Sequence, residues 1–274
     1  MKKNKIFKRV NKSNYSNEIV DNNIISSKKS RKLYLSMIFP NLVTVIALCL
    51  GLSAIRYAFH LKFQESIILI LIAAILDGID GRLARFLNST SEFGAQLDSL
   101  ADFANFGIVP GFVLYFWINS FYDVKVIDWG LSLFFAVCCA LRLARFNSQL
   151  NVKSKNPNLD KYFFQGVPAP MGAMLAVFPM IIYFEFDAGF YSQPQNVVAY
   201  AAMIAILMAS RIPTISIKKI PINNDFFFIT FIIICLLVIC AIIETWLTLV
   251  FVGFVYLLSI PLTIFLFLKF YNSK

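Results

Sequence analysis

The chain alternates long apolar runs with short polar breaks. Eight runs stand out, at residues 37–58, 65–86, 97–118, 126–147, 169–186, 194–212, 226–243 and 246–269. Each holds about 20 residues, enough for a helix to cross the hydrocarbon core of a bilayer. Backbone in a bilayer must satisfy its own hydrogen bonds, so the pattern predicts helices and not open strands. The fifth run is short and bounded by prolines, and the last two are parted only around Glu244. The expected fold is an all-α polytopic membrane protein with about eight transmembrane helices.

Positive charge orients this layout. With the N-terminus inside, the cytoplasmic segments hold 22 Lys and Arg, and the outer ends hold three, Arg56, Lys62 and Lys125. That bias predicts an even number of crossings, with both termini in the cytoplasm and the chain in the cell (inner) membrane. Residues 1–33 are polar and basic, with no apolar core following the first lysines as a secretory signal requires, and they are expected to form a disordered cytoplasmic tail.

Composition agrees. Hydrophobic residues make up 59% of the chain, above the roughly 45–50% of a soluble domain. The net charge of +10 lies in the tail and loops, which fits anionic lipid and argues against nucleic acid as a partner. Cys49, Cys138, Cys139, Cys235 and Cys240 all lie in apolar runs without metal or redox spacing, and read as small hydrophobes. His60, the single histidine, falls on the outer side, so a histidine-based mechanism is not expected. The Phe-rich stretches at 226–236 and 264–270 read as lipid-facing helix.

Against this background four acids are out of place. Asp77 and Asp80 are three apart in the second run; Asp98 and Asp102 are four apart in the third. Each pair shares a helix face. Gly81 and Ala84 flank the first pair, while Gly94, Ala101 and Asn105 extend the second stripe. An acid within a membrane costs at least about 2.5 kcal/mol, and several together repel. One or two divalent cations with hard oxygen ligands, Mg²⁺ or Mn²⁺, would neutralise them. Arg82 and Arg85 follow one turn later and suit a phosphate or diphosphate.

The run Asp77-x2-Asp80-Gly81-x2-Ala84-Arg85-x8-Gly94-x3-Asp98-x3-Asp102 resembles the signature of the CDP-alcohol phosphotransferases. The resemblance covers about residues 36–215. It implies a six-helix catalytic core over 34–215, with residues 216–274 adding two C-terminal transmembrane helices. It also implies displacement of CMP from a CDP-linked lipid by an alcohol hydroxyl. Two divalent ions would be held by Asp77, Asp80, Asp98 and Asp102, with Asp102 also the base. Gly81, Arg85 and Ser91 would bind the CDP group, and Asn41 and Thr44, from a "PNxxT" element after Pro40, would lie near the nucleotide. Family members are generally dimers, and a homodimer is implied here.

Two later stretches bear on the acceptor. "CCALRLARFN" (138–147) and "FFQGVPAPMG" (163–172) resemble the phosphatidylserine synthase branch of that family, whose substrates are CDP-diacylglycerol and L-serine. "MASRIPTISIK" (208–218) resembles that branch's sixth-span ending. Arg142, Arg145 and Asn147 are the expected acceptor-binding residues, since an arginine can hold a carboxylate through two parallel hydrogen bonds. Glycerol 3-phosphate, inositol phosphate or choline are the alternative acceptors. A cation transporter is the alternative from another class.

Overall fold

The computed structural model describes residues 38–87, 89–121, 127–150, 163–187, 189, 193–215 and 224–272. The basic tail, and the loop lysines at 153, 155, 161, 218 and 219, lie outside the described residues.

Helix α1 (Ile38–Phe59) turns at His60–Leu61 into α2 (Phe63–Phe86). The next element is one long rod made of α3 (Glu92–Phe103), a π-helical turn (Ala104–Ile108) and α4 (Val109–Phe121). Helix α5 (Ile127–Leu150) follows, then strand β1 (Phe163–Gln165), α6 (Ala169–Ala176), α7 (Phe178–Phe186), α8 (Pro194–Ala209), strand β2 (Pro213–Ile215), α9 (Asn224–Ile243) and α10 (Thr245–Asn272).

All eight predicted runs are helical, but the described residues do not confirm eight crossings. Four helices among the described residues are long and apolar enough to cross a membrane, or five if the bent pair α6–α7 is one span. Helix α2 has the length, 24 residues, but carries Glu65, Asp77, Asp80, Arg82 and Arg85. Helix α8 has only 16 residues. The protein is a multi-pass membrane protein.

Three features depart from straight spanning helices. Between α6 and α7 the axis bends by 43°. Pro179 cannot donate to the carbonyl one turn back, so the ladder breaks at Val177. The π turn interrupts the acid-bearing rod just before Pro110, which removes another donor. Such insertions re-aim side chains and recur at functional sites. The third departure is a two-stranded antiparallel ribbon, pairing Phe163 with Ile215 and Gln165 with Pro213. It joins two of the stretches that resemble the phosphatidylserine synthase branch, and Gly166 N–H donates to the Ile212 carbonyl at its end (2.8 Å).

Apolar surface is distributed as in lipid. Outward positions of α9 are strongly exposed, Phe228 at 74% and Ile242 at 77%, as expected of the Phe-rich stretch at 226–236. Helix association in lipid relies on close packing of small residues. Ala54, Ala58, Ala73, Ala173, Ala201 and Ala205 are all fully buried between helices, with Phe106, Phe135, Ile204 and Met208 filling the centre. Helices α5 and α8 pack extensively, and α10 lies against α7 and β2. This packing brings the C-terminal ends of α2, α5 and α8 to the same end of the bundle as the N-terminal end of α3.

Candidate active site

The site begins with a tight reversal between α2 and α3. Leu87 N–H bonds back to Leu83, and Ser89 N–H to Ala84, both at 2.9 Å. Ser91 then caps α3 by accepting from Gly94 N–H (3.0 Å), a device worth about 1 kcal/mol to a helix. The reversal sets the two acid-bearing faces side by side. Asp77, Asp80 and Asp98 each offer an oxygen, and these oxygens lie within 4.8 Å of one another. Asp102 adjoins Asp77, with Asp98 and Asp80 within electrostatic reach.

Magnitudes show what this arrangement requires. Two ionised carboxylates at that separation repel by about 3–4 kcal/mol at an effective dielectric of about 20. Three mutual pairs would reach about 10 kcal/mol, comparable to the whole stability of a domain. Hydrogen bonding to Asp80 relieves only part of it. Asp80 is 3% exposed and takes a hydrogen bond, on Oδ2, from the Thr44 hydroxyl (2.6 Å). Asp80 Oδ1 and Asp102 Oδ1 are buried with no hydrogen-bond partner among the described residues. An all-oxygen, strongly anionic donor set with orphaned buried atoms fits a divalent cation.

Asp80 and Asp98 form one wall of a cavity of about 450 Å³. That volume is in the usual range for a small-molecule site. Asn41, Thr44, Gly81, Arg85 and Ser91, the five residues expected to contact the CDP group, all line it. Thr44 reaches it from α1, where its hydroxyl donates to Asp80 of α2. Arg85 sits exposed, its Nε donating to the Gly81 carbonyl (2.9 Å). A second cavity of about 460 Å³ includes Asp128 and Gln193, far from the acid cluster along the helices. It holds one carboxylate, which accepts from Asn119, and lacks the convergent acids of the first.

Gly94 is where this cavity is most sensitive. A Cβ there would sit 2.9 Å from Asn41 Oδ1 and 3.1 Å from the capping Ser91 Oγ. Gly94→Val is therefore expected to displace both residues and lower kcat/KM for the nucleotide-bearing substrate about tenfold, or about 1.4 kcal/mol. Steady-state kinetics, with circular dichroism to show retained helix, check this.

The three residues expected at the acceptor diverge. Arg142 lies within electrostatic reach of Asp102, and its Nε is buried without a partner among the described residues. Arg145 instead donates through Nη1 to the Ala209 carbonyl (2.7 Å) and lies 3.3 Å from that of Ser210, tying α5 to the end of α8. Asn147 donates to Ser99 Oγ (3.0 Å), holding α5 to α3 beside Asp98. Both have a structural partner that spacing along one helix does not reveal. Cys139 is fully buried beside Arg142, in keeping with its reading as a small hydrophobe. Tyr256 of α10 also lies within electrostatic reach of Arg142; as a single tyrosine in an apolar run, it carries no signal in the sequence.

The family model for CDP-alcohol phosphatidyltransferases matches residues 37–211, from the start of α1 to the end of α8. The chain belongs to this family. A second model of these CDP-alcohol phosphatidyltransferases, described as CDP-alcohol phosphatidyltransferase 2, matches residues 227–261. Among curated relatives, the CDP-diacylglycerol–serine O-phosphatidyltransferase of Mycobacterium leprae is 38% identical over 188 residues, covering 69% of this chain and 61% of the relative. The enzyme of that name from Mycobacterium tuberculosis is 37% identical over 190 residues, 69% of this chain and 65% of the relative. That of Helicobacter pylori is 34% identical over 199 residues, 73% of this chain and 81% of the relative. The chain thus spans a little under two thirds of the length of the mycobacterial relatives.

Proposed function

We propose that this protein transfers the phosphatidyl group of CDP-diacylglycerol to L-serine, giving phosphatidylserine and CMP. One observation carries the reading: three carboxylates within 4.8 Å of one another meet the cavity lined by Asn41, Thr44, Gly81, Arg85 and Ser91. The names of the relatives support the donor and the acceptor. Arg142, beside Asp102, supports an acceptor that carries a carboxylate.

In this reading Asp77, Asp80, Asp98 and Asp102 hold two divalent ions, Mg²⁺ or Mn²⁺. Such ions, when bound, neutralise the diphosphate and the charge that builds on the leaving group. Gly81 leaves its surface open for the nucleotide to approach, since nothing lies within 4 Å of where its Cβ would be. Arg85 places a positive charge at the rim for the diphosphate. The serine Oγ forms a bond to the phosphorus that bears diacylglycerol. The bond from that phosphorus to the bridging oxygen breaks, and CMP departs with the electron pair. Asp102 takes the hydroxyl proton, which needs a carboxylate within hydrogen-bond reach.

In the same reading residues 34–215 form the catalytic core with 216–274 as an added helix pair, both termini and the site face the cytoplasm of the inner membrane, and the protein is a homodimer. The test is CMP release by the purified protein from CDP-diacylglycerol, with a panel of alcohols and with Mg²⁺ or Mn²⁺. Release with L-serine is expected. Release with glycerol 3-phosphate and not with serine would overturn the acceptor, and ion flux without CMP release would overturn the reaction.

A further inference from the structure

We propose that the cavity at the end of the bundle opposite the acid cluster binds the headgroup of a phospholipid that carries a primary ammonium. Asp128 takes the ammonium, and the start of helix α8 takes the phosphate. Neither element belongs to the acid-lined site, so this binding is separate from the serine reading.

Three elements line this cavity of about 460 Å³: α4 through Ile118, the start of α5 through Ile127 and Asp128, and the start of α8 through Gln193, Gln195 and Val198. Asp128 lies about 20 Å along α5 from Arg142. It is fully buried, in the first turn of that helix. Its Oδ2 accepts from Asn119 Nδ2, which also donates to the Tyr115 carbonyl (2.9 Å). Its Oδ1 is buried with no hydrogen-bond partner among the described residues. Packing holds the side chain there. Ser132 Oγ, one turn on, donates to the Gly111 carbonyl of α4 (2.7 Å), and a Cβ on Gly111 would sit 3.0 Å from the Ser132 carbonyl oxygen. A carboxylate buried without a counter-charge is costly, and no lysine or arginine lines the cavity among the described residues. The orphaned oxygen and the space beside it therefore mark a place for a cation.

The shape and lining decide which cation. A divalent metal needs about six oxygen ligands, whereas Asp128 offers one free oxygen in a space many times the size of an ion. A quaternary ammonium has no N–H to donate and is held by aromatic faces, and no ring lines this cavity among the described residues. A primary ammonium can donate to Oδ1 directly. A place for an anion stands opposite. Helix α8 starts with Pro194 and has no side chain capping it. The N–H groups of Asn196 and Val197 bond to the Gln193 carbonyl (3.1 and 3.2 Å), which leaves that of Gln195 for a phosphate. A carboxylate and a helix N-terminus in one cavity complement a zwitterion. The surface beside it points to a lipid. Ile127 is 56% exposed, and Phe134, Val137 and Leu141 continue its exposed stripe along α5. Acyl chains can follow that stripe while the headgroup stays in the cavity.

Thermal melting of the full-length protein in maltoside micelles, titrated with phosphatidylethanolamine, tests the proposal. Tm should rise with lipid concentration. Phosphatidylcholine, phosphatidylglycerol and soluble O-phosphoethanolamine should leave it in place. Asp128→Asn keeps the shape and removes the charge, and should need about tenfold more phosphatidylethanolamine for the same rise. Val198→Trp fills the cavity from α8 with the carboxylate intact. It should abolish the rise, and it decides the matter if Asp128→Asn does not fold. Equal rises with all three lipids, or a rise unchanged in either variant, would overturn the assignment. A rise with O-phosphoethanolamine equal to that with the lipid would refute the lipid source. A lipid-free Tm lowered to the same extent in Asp128→Asn and Lys125→Ala would pair those two residues and refute the site.

Discussion

Asp102→Asn is expected to lower the rate of CMP release by about 10²–10⁴-fold, the usual contribution of a positioned general base. Binding of the CDP-lipid should survive. Asp102 lies one turn deeper on α3 than Asp98, next to Asp77 and Arg142, whereas the cavity wall is formed by Asp80 and Asp98. The change keeps shape and removes the proton acceptor. It also converts one buried orphan oxygen into an amide whose donors and acceptor are no better paired. A binding assay with CDP-diacylglycerol beside a single-turnover measurement separates the two effects. Turnover within about threefold of wild type would remove Asp102 from the role of base.

Removal of divalent ions should abolish activity outright, with Mg²⁺ or Mn²⁺ restoring it. The cause is electrostatic. Asp77, Asp80 and Asp98 approach within 4.8 Å, and their repulsion is of the order of a domain's whole stability. The ions relieve that repulsion and neutralise the diphosphate in the same place. The same reasoning predicts a stability effect independent of turnover. The chelated protein should melt lower, by an amount that grows with the ion concentration used for restoration. Asp80→Ala should remove most of the ion-dependent rise in Tm and lower activity by at least about 10³-fold. It also strips the Thr44 hydroxyl of its 2.6 Å acceptor, so Thr44→Val is the control for that contact alone. Activity in Asp80→Ala near that of wild type, or a melting temperature indifferent to Mg²⁺ and Mn²⁺, would argue against the cluster as a metal centre.

Much of the site is legible in the sequence alone. Acids three and four apart lie on one helix face by geometry, and a short polar break between two apolar runs makes those helices antiparallel neighbours. Capping by Ser91 and the reversal at residues 87–91 are likewise local. The acceptor side is less legible for a physical reason: its contacts are remote in sequence. Arg145 reaches Ala209, 64 residues on, and Asn147 reaches back 48 residues to Ser99. Arginines near a helix end look alike until the bundle assigns their partners.

The sequence by itself determined where the helices lie and which faces carry the acids, because both depend on local composition and on the helical repeat. It did not determine how many of them cross a membrane. Four or five of the described helices meet that requirement, since α2 carries the site's charges and α8 is short. Only the tertiary structure decided the break at Val177, the π turn before Pro110, the ribbon joining residues 163–165 to 213–215, and the company kept by Arg142. These follow from how neighbouring helices pack and from backbone groups that must find partners within the protein, and neither is encoded in any single run of residues.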